Sequence, residues 1–184
     1  MDNLGLDLRT GLPEALRVLL AEYPRDGWAA DKRFQGLVSF WLERHMLFRK
    51  LIGLMQADTL ALLDRALDPA QFTNRINRFG SMFVNDLHGH HQIEDQHYFP
   101  LLAAKEADIA RGFEILDRDH HAIDGHLNGF ITAANAVLQR PDGTRASQFH
   151  TQLQRLDGFL NRHLIDEEDL IVPIILRHGA ESLE

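Results

Sequence analysis

The sequence predicts an all-α protein: an antiparallel up-down-up-down four-helix bundle with a short extra N-terminal helix. Three observations predict it. Four long stretches carry apolar residues at steps of three and four, the spacing of one helix face. Nowhere do apolar and polar residues alternate as in a strand. The breaks between the stretches are short, and short connections between long amphipathic helices set neighbours antiparallel. At 184 residues the chain is long enough to bury a real core as one domain. We divide it into an N-terminal extension, residues 1–30, and the bundle, residues 31–184.

The elements follow in order. Thr10 as a cap, Pro13 near the first turn and a stop at Pro24 mark the short first helix. The first long stretch, which Asp31 is placed to cap, has the stripe Phe34, Val38, Trp41, His45, Phe48, Ile52, Met55. The second has Ile76, Phe79, Phe83, Leu87, His90, Glu94, His97, Leu101. The third has Phe113, Leu116, His120, Ile123, Leu127, Phe130, Ala134, Val137. The fourth has Leu153, Leu156, Leu160, His163, Glu167, Leu170, Ile174. Breaks fall at Asp68-Pro69, near Lys105 to Asp108, and at Pro141-Asp142-Gly143.

Composition narrows the function classes. A net charge of -8 argues against non-specific binding to nucleic acid or anionic membrane. The lack of cysteine excludes disulfides, thiolate nucleophiles, zinc–thiolate sites and cysteine-held clusters. The longest apolar run, Leu170 to Leu176, is too short to span a bilayer, and Met1 to Thr10 show no signal-peptide pattern. A cytoplasmic location is the expectation. The unusual number is 11 histidines against 2 Tyr and 2 Trp. Histidine's special uses are metal ligation and proton transfer.

Each stripe is interrupted in its middle by a histidine, and in the second and fourth the next inward residue is a glutamate. Burying such groups without partners costs several kcal/mol, of order 2–7 per neutral polar group. In an antiparallel pair, two residues share a height when the turn bisects their separation. The midpoint of His45 and His90 is 67.5, that of His90 and His120 is 105, and that of His120 and His163 is 141.5. All three fall at the breaks, which places the four histidines in one layer. His90 with Glu94 and His163 with Glu167 stand at i and i+4, one above the other on a helix face. HHQIEDQHYFP and HLIDEEDLIVP read as an internal repeat, and LERH around His45 pairs with DRDH around His120.

Four imidazoles and two carboxylates exceed the needs of a tetrahedral zinc site, and an all-oxygen calcium or magnesium site does not use imidazoles. The mixture suits two iron or manganese ions bridged by carboxylates, with open positions for a small exogenous ligand. The competing readings are a module that stores or donates iron without catalysis, and a structural bundle whose histidines are incidental. The common layer argues against the last.

On His45, the HHQIED…FP segment, DRDH and the HLIDEED…P segment, the chain resembles the hemerythrin-like (HHE cation-binding) family over roughly Asp31 to His178. The resemblance implies a four-helix bundle holding a non-haem di-iron centre bridged by carboxylates and an oxygen atom, with manganese or zinc able to substitute. It implies a role in binding or reacting with oxygen, nitric oxide or peroxide, in sensing or stress response. By position it makes His45, His90, Glu94, His120, His163 and Glu167 the ligands. Oxygen carriers place a second histidine four residues after the third-helix ligand, where this chain has Asp124. They also use an aspartate five residues after the fourth-helix histidine, where Glu168 stands, although Glu167 fits the repeat better. The chain therefore looks more like bacterial members with fewer histidines.

Other side chains are peripheral candidates. Asp124 lies one turn past His120 and is placed to ligate or orient a ligand. His97 is expected to pack or to support a ligand, and His121 to face the surface unless the third helix is rotated. His88, His91, His126, His150 and His178 are expected in solvent. Asp86, Asp119 and Asp166 are expected to be solvated, with hydrogen bonding to ligand N–H groups as the alternative. The acids flanking Glu167 in Asp166 to Asp169 are likewise expected in solvent. The N-terminal thirty residues either cap the bundle or mediate a homodimer.

Overall fold

A computed structural model describes residues 4–34 and 36–183. Met1 to Asn3 of the expected extension, Gln35 and Glu184 lie outside the described residues. Among the described residues all regular structure is helical. The α-helices are α1 (Val18–Glu22), α2 (Leu37–Leu63), α3 (Pro69–Ile93), α4 (Phe99–Lys105), α5 (Arg111–Gln139) and α6 (Gly143–His178). The short first helix is split. Glu14–Leu16 is a 3-10 turn, α1 follows, and Arg25–Ala30 is 3-10 again.

The helix ends follow local chemistry. α2 begins at Leu37, not at the Asp31 expected to cap it. Asp31 closes a turn instead, its carboxylate accepting the Arg33 N–H at 2.8 Å. Gly36 then takes φ of 72°, which a helix cannot continue through, so Phe34 lies outside α2. α2 ends with Arg65 in the left-handed region at φ 58°. The Ala66 N–H reaches back to the Ala61 carbonyl and the Arg65 N–H to Leu62, the paired bonds of a Schellman ending. Asp68 caps α3 by accepting the Ala70 and Gln71 N–H groups, with Pro69 in the first turn. Asp142 caps α6 through the Arg145 N–H at 2.9 Å. Gly179, at φ 81°, ends α6 and donates to the Ile175 carbonyl.

The second stretch departs from a uniform helix. Between α3 and α4, Glu94–Tyr98 winds as a π turn, in which the Phe99 N–H bonds the Glu94 carbonyl. A π turn inserts one residue and shifts every later side chain by one position. After the turn the buried positions are Phe99 and Leu102, at 4% and 0% exposed, in place of the expected His97 and Leu101. Pro100 explains the tolerance for this turn. It lacks an N–H, so a regular helix there would lose a ladder bond in any case. The third and fourth stripes are buried at every expected position. Leu170 to Leu176, around Pro173, is buried all round, as fits a helix segment apolar on every side.

Two compact units can be distinguished. One comprises Leu47–His90 and His121–Leu160. Its core is a chain of aromatic rings, one from each long helix: Phe48 on Phe83 at 6.2 Å, Phe83 on Phe130 at 5.8 Å, Phe130 on Phe149 at 5.6 Å. The other comprises Met1–Met46, His91–His120 and Asn161–Glu184. Its core gathers Leu12, Leu16, Leu19 and Trp28 of the N-terminal segment with Val38, Trp41, Phe99, Phe113, Leu116 and the Leu170–Leu176 run. The N-terminal segment is thus packed into this unit. No helix among the described residues is long and apolar enough to cross a membrane.

Candidate metal centre

His45 is brought inward by its place on the α2 stripe, one turn past Trp41 and one before Phe48, and it is fully buried. His163 and Glu167 are set one turn apart by α6 and are both fully buried. His120 on α5 is 3% exposed, and Glu94, opening the π turn, is 0% exposed. Two groups of candidate ligand atoms result, each converging within 4.8 Å. The first is His91, His120 and His163. The second gathers His45, Glu94 and Glu167. The six residues expected to be ligands therefore stand in these groups or, for half-buried His90, one turn before Glu94 on α3.

The seventh member, His91, corrects the reading that it faces solvent. It is 6% exposed and stacks on the His120 ring at 3.9 Å. A signal for it was present. Leu87 lies three residues before His90 and four before His91, so both histidines stand over one buried apolar residue. The same doublet recurs on α5, where Asp119 and His120 follow Leu116, and on α6, where Asp166 and Glu167 follow His163. Attention to the single stripe position missed the second member of each doublet.

The spacing within the groups fits metal ligation. His120 Nε2 and His163 Nε2 are 3.1 Å apart. Two nitrogens at right angles around one ion, each at about 2.1 Å, stand about 3 Å apart. Glu167 faces both groups. Its Oε1 is 3.4 Å from His45 Nε2 and its Oε2 is 3.3 Å from His163 Nε2. The Trp41 indole N–H donates to Glu167 Oε1 at 2.6 Å and fixes the carboxylate plane. Glu94 Oε2 stands 3.6 Å from His120 Nε2. Imidazole and carboxylate together are the donor set of iron or manganese, and clustering them out of water without a cation is unfavourable. These residues therefore fit a bound metal.

A second layer of carboxylates grips the outer nitrogens. Asp95 is 2.7 Å from His120 Nδ1, Glu168 is 3.0 Å from His45 Nδ1, and Asp119 is 3.4 Å from His163 Nδ1. Such contacts fix the tautomer and aim Nε2 at the centre. Asp119, Asp166, Glu168 and Asp169 are 3%, 0%, 5% and 6% exposed, which overturns the expectation that they are solvated. Arginines of the N-terminal segment pair with them in the interior. The remaining candidates lie outside both groups. Asp124, His121, His97 and His88 are exposed, and His97 packs edge-on against Tyr98. His126 is half-buried on the Phe159 ring, His150 is half-buried, and exposed His178 bonds Glu106.

Electrostatics in the metal-free chain follow from this crowding. Burial is the largest influence on His163 and opposes its protonation, but Asp119 and Glu167 outweigh it and raise its pKa to about 9. Burial likewise opposes protonation of His45, but Glu167 and Glu168 carry it above its ordinary value. His120 is lowered, by burial first and by the His163 charge, against the pull of Asp95. Glu94 is raised well above a normal carboxylate by burial and by the neighbouring Glu167. A bound cation reverses this logic, since ligands must be deprotonated to bind it.

The sign for His163 is definite. Its folded pKa exceeds the unfolded value of about 6.5, so the stabilisation is full below pH of about 6.5. It is lost as pH rises through about 9. We expect the melting temperature of the metal-free protein to fall across that interval in a calorimetric pH series. The metal-loaded protein should not follow, because the metal keeps His163 unprotonated throughout. A metal-free melting temperature that is flat or rising from pH 6.5 to 9 would contradict the assignment of this proton.

Buried imidazoles and carboxylates converging from the helices define a metal-binding helical protein. The family model for the hemerythrin HHE cation-binding domain matches residues 36–180, and the chain belongs to that family. Comparison with the curated proteins and with the solved structures found no match.

Proposed function

We propose that this chain is a non-haem di-iron protein that binds or reacts with a small molecule such as oxygen, nitric oxide or peroxide, in sensing or stress response. In this reading its four long helices run up-down-up-down, and histidines together with Glu94 and Glu167 would hold the two ions. The observation that carries the reading is the position of Glu167, whose two oxygens face different nitrogen sets at 3.4 and 3.3 Å. A carboxylate held in that way would offer one oxygen to each nitrogen set. In this reading His91, His120 and His163 would hold one ion. His45 would hold the other with Glu94 and Glu167 as its carboxylates, and His90 stands one turn before Glu94 on α3.

Two bound iron ions supply open coordination positions and electrons for a small oxidant. The chain's own residues do the rest. The outer carboxylates orient the imidazoles, Trp41 holds the Glu167 carboxylate, and the surrounding apolar core limits water.

Metal analysis and an absorption spectrum of iron-reconstituted, air-exposed protein test this. About two iron ions per chain are expected, with near-ultraviolet charge-transfer bands that change on adding azide, nitric oxide or peroxide. No bound iron overturns the reading. Stoichiometric iron that dissociates readily and shows no such bands indicates storage or donation instead.

A further inference from the structure

Two arginines of the N-terminal segment reach the carboxylates that grip the metal-site histidines. Arg9 is 8% exposed. Its Nε donates to Asp166 Oδ2 at 2.8 Å, its Nη1 to Asp119 Oδ1 at 2.8 Å and to the Leu4 carbonyl, and its Nη2 pairs with Asp119 Oδ2. That same Asp119 oxygen is 3.4 Å from His163 Nδ1. Arg25 repeats the arrangement. Its Nη1 donates to Glu168 Oε2 at 2.8 Å, its Nε to Asp169 Oδ1 at 2.6 Å, and its Nη2 to the Ile165 carbonyl. The other oxygen of Glu168 meets His45 Nδ1 at 3.0 Å. Each relay runs arginine, carboxylate, imidazole, and each ends on a histidine from a different group.

The segment is anchored independently of the arginines. The Leu12 N–H donates to Asp166 Oδ1 at 3.1 Å, and Arg162 spans Asp166 and the Thr10 carbonyl. Leu12, Leu16, Leu19 and Trp28 are buried in the adjoining core. The guanidinium forks are therefore delivered by a packed strap.

We propose that Arg9 and Arg25 are positioning residues for the metal centre, acting through Asp119 on His163 and through Glu168 on His45, so that the N-terminal segment governs how tightly the metal is held. This rests on the reading of the site as a metal centre. The physical argument is one of charge and geometry. A desolvated carboxylate placed against an imidazole is held in one orientation only if its remaining lone pairs are filled. Without the arginine it turns away or takes up a proton, and the imidazole loses its fixed tautomer and aim. Pairing with a guanidinium also draws charge from the carboxylate, which tempers how strongly it pulls on the imidazole N–H and so sets the donor strength of Nε2.

The alternative is that the arginines only neutralise buried acids and support the fold. Chelator-driven iron release, followed by absorption in the reconstituted protein, separates the two. Arg25 is the safer site, because its side chain is 41% exposed and its loss leaves no large void. We expect R25Q and R9Q to release iron about 10–100-fold faster than the parent chain, the range for loss of an outer partner of a metal ligand. Their charge-transfer bands should shift, and R25K and R9K should restore the rates only in part, because lysine lacks the fork by which Arg9 takes both Asp119 oxygens and Arg25 spans Glu168 and Asp169. In a D119N background, R9Q should add little further effect, since its route to His163 is already cut. Unchanged release rates and bands in folded R25Q and R9Q, with only the melting temperature lowered, overturn the proposal. An additive effect of R9Q on D119N does so too. Should the parent chain bind no iron at all, it is the metal-centre reading that has failed.

Discussion

Replacing Glu94 by leucine is expected to abolish paired metal binding and at the same time stabilise the metal-free chain. Both effects follow from its position. Glu94 is 0% exposed and faces a second buried acid, which together push its pKa well above the usual range. In the metal-free chain its charge is disfavoured by burial and by Glu167, and an apolar replacement removes a desolvation penalty of about 1–3 kcal/mol. For a chain of this size that is roughly 2–12 °C in melting temperature. In the loaded protein the balance should invert, because the proposed function gives this carboxylate to the metal and its loss removes a donor. Iron content and thermal unfolding of both forms check this. A leucine variant that melts lower without metal, yet still loads iron as the parent does, would show that Glu94 is a structural residue.

The second large effect is expected at His91. H91F keeps a ring against His120, where the two rings stack at 3.9 Å, but removes a nitrogen from the three-histidine group. Loss of one of three nitrogens should weaken the ion there by more than the ~10–100-fold that outer partners contribute. The ion near His45 should be largely retained. Iron content should therefore fall from about two to about one per chain, with the melting temperature of the metal-free form nearly unchanged. H121F, at the exposed neighbour of His120, is the control and should leave both quantities alone. Full iron content in H91F would remove His91 from the ligand set.

The difference between these two residues shows what a sequence reading reaches. Glu94 was identified because an acid four residues after a histidine on an apolar stripe is costly and conspicuous. His91 escaped because a single stripe position per turn is too narrow a description of a buried helix face. A helix surrounded on most of its circumference buries two neighbouring positions per turn, and Leu87 beneath both histidines was the sign of it. The same width explains Asp119 and Asp166. The π turn at Glu94–Tyr98 was not legible for a different reason. Its cause, Pro100, lies six residues after Glu94 and has regular helical alternatives, such as a simple stop, that look identical in sequence.

The sequence by itself determined the helical class, the turn positions at Asp68 and Asp142, the third and fourth core stripes and six of the seven candidate ligands. These depend on local periodicity, on capping chemistry and on the cost of burying charge, all of which are written in residue order. The tertiary structure alone decided what surrounds the ligands. The buried partners of Asp119, Asp166, Glu168 and Asp169 are Arg9 and Arg25, more than a hundred residues away in sequence. No periodicity encodes such a pairing. It exists because the N-terminal segment buries Leu12, Leu16, Leu19 and Trp28 beside those acids, and the apolar contact brings the guanidinium groups within reach.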